Sequence, residues 1–338
     1  MKRSAPFLLS LALGLSLVVR AAEPGVLRTF KVGGEGRWDY VSLDPAGGRL
    51  YVPRSTRVMV LDLEGRVKGE VPGTAGVHGV AFSAELDRGW TSNGQSGTVT
   101  VFKLSTLEVQ KVVKTTGENP DAILFEPATQ RVFTFNGRGK NATVIDALSA
   151  EVVGTLPMGG KPEFAVCDGS GRVYVNNEDT SEILAIDART LKVVATWSIK
   201  SVADPSGLAM DVQHNRLFSV GSNKLAAVVD AGSGKVLATL PIGAGTDGIA
   251  FDPGTGCAYA SNGEGTITVI RPTGPATYEV SATIRTRPGA RTIVANPLTH
   301  RLYLPTAEFI PAPREAEPGT RPTLVPGSFQ ILELGEVH

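Results

Sequence analysis

The sequence predicts an all-β fold, a seven-bladed β-propeller whose N-terminal strand completes the last blade. Three observations predict it. The first is a repeated aromatic residue two positions after a strand-opening residue that is basic in six of seven cases. It reads Arg49-Leu-Tyr51, Arg88-Gly-Trp90, Arg131-Val-Phe133, Arg172-Val-Tyr174, Arg216-Leu-Phe218, Cys257-Ala-Tyr259 and Arg301-Leu-Tyr303. The aromatics are 39, 43, 41, 44, 41 and 44 residues apart, the period of a four-stranded propeller blade. The second is alternation at period two between turns, as in Val58-Met-Val60-Leu-Asp-Leu63 and Ile267-Thr-Val269-Ile. That is strand spacing, and no segment carries the period of an amphipathic helix. The third is a duplicated strand at the two ends of the chain, described below.

In chain order, the first element is a leader. Lys2 and Arg3 precede an apolar run from Phe7 to Val19, and small residues at Val19-Arg20-Ala21 suit a cleavage site. Residues 1–21 therefore read as a secretory signal peptide, cut after Ala21 or Ala22. The run is too short for a membrane span, and no later stretch is apolar enough to be one. A periplasmic or extracellular location is expected. The chain has 33 basic and 33 acidic residues. Loss of Lys2, Arg3 and Arg20 leaves 30 against 33, a net of −3. A near-neutral chain has no general attraction for nucleic acid or anionic lipid.

Residues 22–338 form one propeller domain in this reading. Blade five illustrates the four strands, labelled a to d from the axis outward: Gly207 to Asp211, Arg216 to Val220, Leu225 to Asp230 and Lys235 to Leu240. The last repeat ends at strand c, Phe329 to Leu334, and has no strand d. The missing strand stands at the other end of the chain, where Val26-Leu-Arg-Thr-Phe-Lys-Val-Gly33 matches Val236-Leu-Ala-Thr-Leu-Pro-Ile-Gly243 position for position. Pairing of the two ends removes the open sheet edges. One segment breaks the rhythm: residues 305–327, between strands b and c of blade seven, carry Pro311, Pro313, Pro318, Pro322 and Pro326. Repeated proline excludes regular structure there. The segment is expected to lean over the channel mouth as a long b–c loop.

Strand a lines the axis, so its first residues face the channel mouth. Counting back five positions from the residue that ends each strand a gives Asp39, His78, Asp121, Glu163, Ser206, Asp247 and Arg291. Six of these seven are ionisable. Ring order places His78 between Asp39 and Asp121, and Arg291 between Asp247 and Asp39, so opposite charges should hold one another and keep His78 protonated. Asp121 and Glu163 are neighbouring like charges that must share a proton, bind a cation or recruit a base. Lys161, Arg138 and Lys140 are the nearest bases in sequence. Oxygen donors of this kind suit calcium or magnesium better than zinc, which makes Asp121 and Glu163 the candidate metal ligands; no other cofactor is expected. The b–c loops on the same face, among them Asn93-Gly-Gln95, Asn136-Gly-Arg138, Asn177-Glu-Asp179 and Asn262-Gly-Glu264, are turns first, with amides that offer polar contacts. Trp38, Tyr40 and Phe164 flank ring positions as stacking surfaces or seam plugs.

Other signals carry no chemistry. Gly243-Ala-Gly245-Thr-Asp-Gly248 has the spacing of a dinucleotide loop but precedes a strand, where that function needs a helix. Cys167 and Cys257 fall in blades four and six, which do not touch in a seven-membered ring. No disulfide is expected between them, and both read as small buried fillers. His214 and His300 fall in a–b turns on the opposite face.

Tyr51-Val52 and Tyr174-Val175 in strand b, Val144-Ile-Asp146 and Val229-Asp230 ending strand c, and the Gly159-Gly-Lys-Pro162 boundary resemble the YVTN-type β-propeller repeat family. The layout is similar to that of secreted YncE-like proteins, including the proline-rich loop before the last strand. Blades two and six depart from the pattern with Trp90-Thr91 and Tyr259-Ala260. The resemblance implies an exported seven-blade ring with binding or scaffold roles and no catalytic residue to carry over. The leading expectation is a binding module, not an enzyme, that takes a small polar ligand or a protein at the channel mouth, and a monomer. The first alternative is a metal-assisted hydrolase or lyase built on the carboxylates. The second is single-stranded nucleic acid binding through Arg138, Lys140 and Arg37, which the charge disfavours.

Overall fold

The computed structural model describes residues 24–310 and 322–336; the expected leader at residues 1–21 lies outside them. The described chain forms seven antiparallel four-stranded sheets. Six are continuous in sequence, blades one to six, spanning 42–71, 77–114, 120–157, 162–198, 205–241 and 246–285. The seventh combines Val294–Asn296, Arg301–Thr306 and Gln330–Glu336 with Pro24–Lys31 from the start of the chain. Closure by the N-terminal strand is thus as the duplicated sequence implied. Among the described residues no helix is long and apolar enough to cross a membrane.

The core is divided among the seams. Seven buried clusters each join two neighbouring blades. The repeated aromatics lie at these seams, and all seven are buried. Tyr51 stacks on Phe82 of the next blade, Trp90 on Phe125 and Phe218 on Phe251, with centroids 5.7, 5.4 and 5.7 Å apart. Burying one such ring contributes about 1.5–3 kcal/mol. The basic residue of the motif is a strut to the following blade. Arg49 donates to Leu104 O, Arg88 to Ala147 O, Arg131 to Arg189 O and Arg216 to Pro275 O, each carbonyl belonging to the next blade's c–d turn. In blade four Arg172 stays with its own Asp187, and Tyr174 Oη donates to Ala231 O instead. The residue before the motif position is left-handed in all seven blades: Gly48, Asp87, Gln130, Gly171, Asn215, Gly256 and His300. This kink closes each a–b hairpin.

The long segment departs from expectation. Pro305 and Thr306 still belong to strand b, and Phe309–Ile310 pairs with Thr323–Leu324 in a short ribbon despite the prolines. Proline is tolerated there because a two-residue ribbon needs few donors. Residues 311–321 lie outside the described structure. The ribbon is seated by apolar packing: Trp38 contacts Phe309 and Phe329, at 6.2 and 5.5 Å between ring centroids. Cys167 and Cys257 are both free and half-buried, so neither is the fully buried filler that its size suggested.

Closure has its own fastening. Arg28 and Glu333 face each other across the pairing of first and last strands and form an ion pair, with Glu333 only 4% exposed. Tyr303 Oη donates to the same carboxylate. Above it, the guanidinium of Arg54, in the b–c loop of blade one, donates to Gly33 O, Gly34 O and Gly36 O and lies 3.7 Å over the Phe329 ring. Arg54 is 1% exposed and meets carbonyls, with no carboxylate partner among the described residues. Gly36 can deliver its carbonyl because it sits at φ +96°, and a Cβ there would come within 2.8 Å of Arg54 O.

Arg54→Met keeps the side-chain stem on Phe329, removes the donors from three carbonyls and takes a buried guanidinium out of the closing turn. It is expected to lower unfolding free energy in urea by about 2–4 kcal/mol. Arg37→Met, at an exposed residue whose side chain bonds only Pro322 O among the described residues, should change it by less than about 0.5 kcal/mol. Equal effects would contradict the fastening role of Arg54.

Candidate functional site

The seven positions counted from the sequence converge on one mouth, and the backbone explains how five of them are aimed. In blades two to six the pairing of strands a and b slips at the ring residue. The slips fall between Val77 and Gly79, Pro120 and Ile123, Pro162 and Ala165, Pro205 and Leu208, and Thr246 and Gly248. His78, Asp121, Glu163, Ser206 and Asp247 occupy these bulges, which turn a side chain out of the sheet's alternation. In blades one and seven strand a is shorter, and Asp39 and Arg291 stand on the segments leading into it. Bonds between blades fix the backbone at five of the seven ring positions. Tyr40 N donates to His78 O, Ser92 Oγ to Asp121 O, Asn176 Nδ2 to Ser206 O, Ser261 Oγ to Arg291 O and Thr292 Oγ1 to Asp39 O.

The charged side chains join in ring order. Arg291 pairs with Asp247 and lies 3.9 Å from Asp39. Asp39 accepts from His78 Nδ1 at 2.7 Å, and the same nitrogen lies 3.4 Å from Asp121. An unbroken arc thus runs through blades six, seven, one, two and three, in the alternation the sequence implied. Blade four holds a second group: Lys161 bridges Glu163, at 3.5 Å, and Glu178. Of the three bases considered, Lys161 alone reaches the ring. Lys140 pairs with Asp179 instead, and Arg138 is exposed without an ion pair among the described residues. Glu178 was not singled out in the sequence, because only the fold brings its b–c loop beside Lys161. Ser206 is neutral and donates to Thr246 O at 3.4 Å.

The mouth has a floor. Tyr40 reaches across the axis from blade one and donates its hydroxyl to Glu163 of blade four at 3.0 Å. Its ring meets Phe164 edge-on, with centroids 4.9 Å apart. These two large residues follow ring positions where blades two, three, five and six have Gly79, Ala122, Gly207 and Gly248. The small residues make the room: a Cβ on Gly248 would come within 3.1 Å of Thr292 Cα. Beneath Tyr40 and Phe164 remains a void of about 20 Å³, space for about one water. The aromatics near the ring are therefore plugs: Trp38 and Tyr40 are each 8% exposed and offer no stacking face. The b–c amides are also occupied. Asn93, Asn136, Asn177 and Asn262 are buried, with their Nδ2 groups on Thr98 and Thr100, Asn141 and Thr143, Met158 O, and Thr266 and Thr268.

Five carboxylates (Asp39, Asp121, Glu163, Glu178, Asp247) face three bases, and the imbalance appears in their protonation. Burial raises Glu163 to about 8; the Asp121 charge adds to this and Lys161 opposes it. Burial raises Asp121 to about 6, against the pull of His78 and with the push of Asp39. Burial also raises Asp247, opposed by Arg291. Burial alone would lower His78, but the Asp39 hydrogen bond and the Asp121 charge outweigh it and raise the imidazole to about 9. Nδ1 of His78 and one oxygen each from Asp39 and Asp121 lie within 4.8 Å of one another, close enough to share one cation. Among the described residues, the group close enough to share a cation is thus Asp39, His78 and Asp121. Glu163, which the sequence paired with Asp121, is engaged by Tyr40 and Lys161.

No protein-family model matches the chain, and no curated protein is similar to it. Solved structures share the fold at low identity. Kuenenia stuttgartiensis hydrazine synthase is 16% identical, with TM-score 0.67 over 78% of this chain and 91% of that one. U3-55K is 10% identical, with TM-score 0.73 over 91% and 98%. The WD40 repeats of RRP9 are 10% identical, with TM-score 0.73 over 94% and 99%. These likenesses establish the propeller, a fold that commonly serves to bind proteins.

Asp121, Glu163 and His78 each hold a proton more tightly in the folded ring than in the unfolded chain. Each contributes stability that is complete below its ordinary value and lost as pH rises through its raised one. For Glu163 that window runs from its ordinary 4.5 to about 8. The melting temperature of the protein is expected to fall between pH 5 and pH 9. Glu163→Gln, which keeps the shape and removes the charge, should be more stable relative to the parent at pH 9 than at pH 5. A difference that does not vary with pH would contradict the assignment for Glu163.

Proposed function

We propose that this protein is an exported binding module of the YVTN-type propeller family, which holds a cationic group of a small polar ligand or of a protein partner at its channel mouth. The observation that carries the reading is the excess of carboxylates, three of them fixed by bulges, around a closed floor. A concave, preformed site with few convergent polar groups is the usual form of a ligand pocket. An ammonium or guanidinium placed there would meet Asp121 and Glu163 and relieve their mutual repulsion. Export rests on the leader, Lys2 and Arg3 before Phe7 to Val19, which supports a periplasmic or extracellular location. The family reading rests on the Tyr-Val pairs and the Gly-x-x-Pro boundary. Nucleic acid fits poorly, because the mouth is acidic and its aromatics are turned inward.

A second reading has one observation in its favour, the convergence of Asp39, His78 and Asp121. A calcium or magnesium ion there would supply Lewis-acid chemistry to a hydrolase or lyase. It ranks second because a raised imidazole must give up its proton before it can ligate a metal or act as a base.

Calorimetric titration with putrescine or arginine methyl ester at pH 7.5 tests the first reading. Binding is expected to displace the Glu163 proton, so the measured heat should change with the ionisation enthalpy of the buffer, and Glu163→Gln should abolish that dependence. Absence of binding by either cation, with a calcium-induced rise in melting temperature lost in His78→Ala, would favour the second reading and overturn the first.

A further inference from the structure

Blade seven breaks the internal repeat at one place away from the mouth, and the break leaves an open cation. In blades one, three, four and five the motif arginine stands across the ladder from an aspartate: Arg49 from Asp62, Arg131 from Asp146, Arg172 from Asp187 and Arg216 from Asp230. In blade seven Leu302 pairs with Leu334, so the next step sets Arg301 against Gly335, which has no side chain to answer it. The other partner is missing too. Arg49, Arg88, Arg131 and Arg216 reach the c–d turn of the following blade, but the turn facing Arg301, that of blade one, is a residue shorter, Asp62 to Val67 against Asp146 to Val152 in blade three. Among the described residues Arg301 Nη1 is buried with no hydrogen-bond partner. Beside it, where the closing strand meets blade one on the face opposite the mouth, lies a cavity of about 580 Å³ lined by Arg301, Arg28, Glu333, Tyr303, Leu27 and Leu63.

We propose that this seam cavity is a binding site for an oxyanion, a carboxylate or phosphate, with Arg301 as its principal ligand. The planar guanidinium matches the geometry of those anions and gains most where its donors are otherwise unsatisfied. Glu333 does not repel such a ligand, because Arg28 holds both its oxygens and Tyr303 donates to one of them. Glu64 stands at the rim with its side chain in solvent, where its charge is screened. Leu27 and Leu63 give the cavity apolar walls, so an anion on a short aliphatic stem uses more of the site than inorganic phosphate does. The volume lies within the range of small-molecule pockets. Because the cavity spans the first strand, the last strand and blade one, occupancy stabilises the closed ring by mass action.

The test is thermal unfolding of the full chain titrated with sodium phosphate and, separately, sodium hexanoate, against sodium chloride of equal ionic strength. The expected result is a saturable rise in melting temperature of about 2–4 °C at ten times Kd with at least one of the two probes. Hexanoate acting alone identifies a carboxylate with an apolar stem, and phosphate acting as well identifies a general oxyanion site. Arg301→Gln should abolish the rise. If that variant does not fold, Gly335→Asp decides: it supplies the acid found in four other blades, its Cβ meets only the Arg301 side chain from Cδ outward, which must swing aside, and it should fold, pair with Arg301 and remove the response. No saturable response to either probe, or one that survives Gly335→Asp, would overturn the proposal.

Discussion

The pairing of Pro24–Lys31 with Gln330–Glu336 is the interaction on which the rest of this protein depends. A propeller blade has no buried core of its own; its apolar faces are covered only by the blades beside it. Without closure, blade seven would end in an open edge at strand c and blade one would lose Phe30 and Val32 from its seam. An exposed ladder of that length also invites association with other chains. Two polar features make the pairing specific. Arg28 faces a buried carboxylate that would otherwise be stranded, and Arg54 satisfies carbonyls presented by the turn that follows the closing strand. Both costs appear only when the wrong segment occupies the edge, so they act on register as much as on stability.

Closure has a consequence at the axis. A ring fixes the distance between opposite blades, and only then can Tyr40 of blade one bond Glu163 of blade four. The crossing converts a channel into a bowl. Bulges at five ring positions set the direction of the side chains, and bonds from Ser92, Asn176, Ser261 and Thr292 hold the backbones of four ring positions from the neighbouring blade. The charges are therefore placed by backbone geometry, with little freedom to relax away from each other. Burial, with the neighbouring charges held in place, is why Glu163 and Asp121 release their protons at higher pH than solvated carboxyls do.

Much of this was legible in the sequence because repetition exposes structure. The spacing of Tyr51 to Tyr303 gave the blade count, the match of Val26 to Val236 gave the closing strand, and the count back from strand a gave every ring residue in its correct order. What was hidden depends on contacts between repeats. The role of the motif arginine as a strut requires knowing which turn follows it in space. Tyr40 reads locally as a seam aromatic, since nothing near it in sequence shows that it crosses the axis. Asn93, Asn136, Asn177 and Asn262 look like accessible turn amides until the threonines and carbonyls that occupy them are in place. Glu178 and Arg54 belong to loops whose partners are far away in the chain. The short ribbon at Phe309 was masked by the prolines around it. The seam cavity is visible in sequence only as a glycine, Gly335, where most blades have aspartate.

Closure is measured most directly by amide hydrogen exchange in the native protein. Amides of the first strand that point at Gln330–Glu336 should exchange only through global unfolding, at the same free energy as those of Arg172–Asn177 in the middle of blade four. Exchange at Pro24–Lys31 that is orders of magnitude faster, with blade four still protected, would mean that the first strand is a loose tail. The ring would then be held by something other than its two ends.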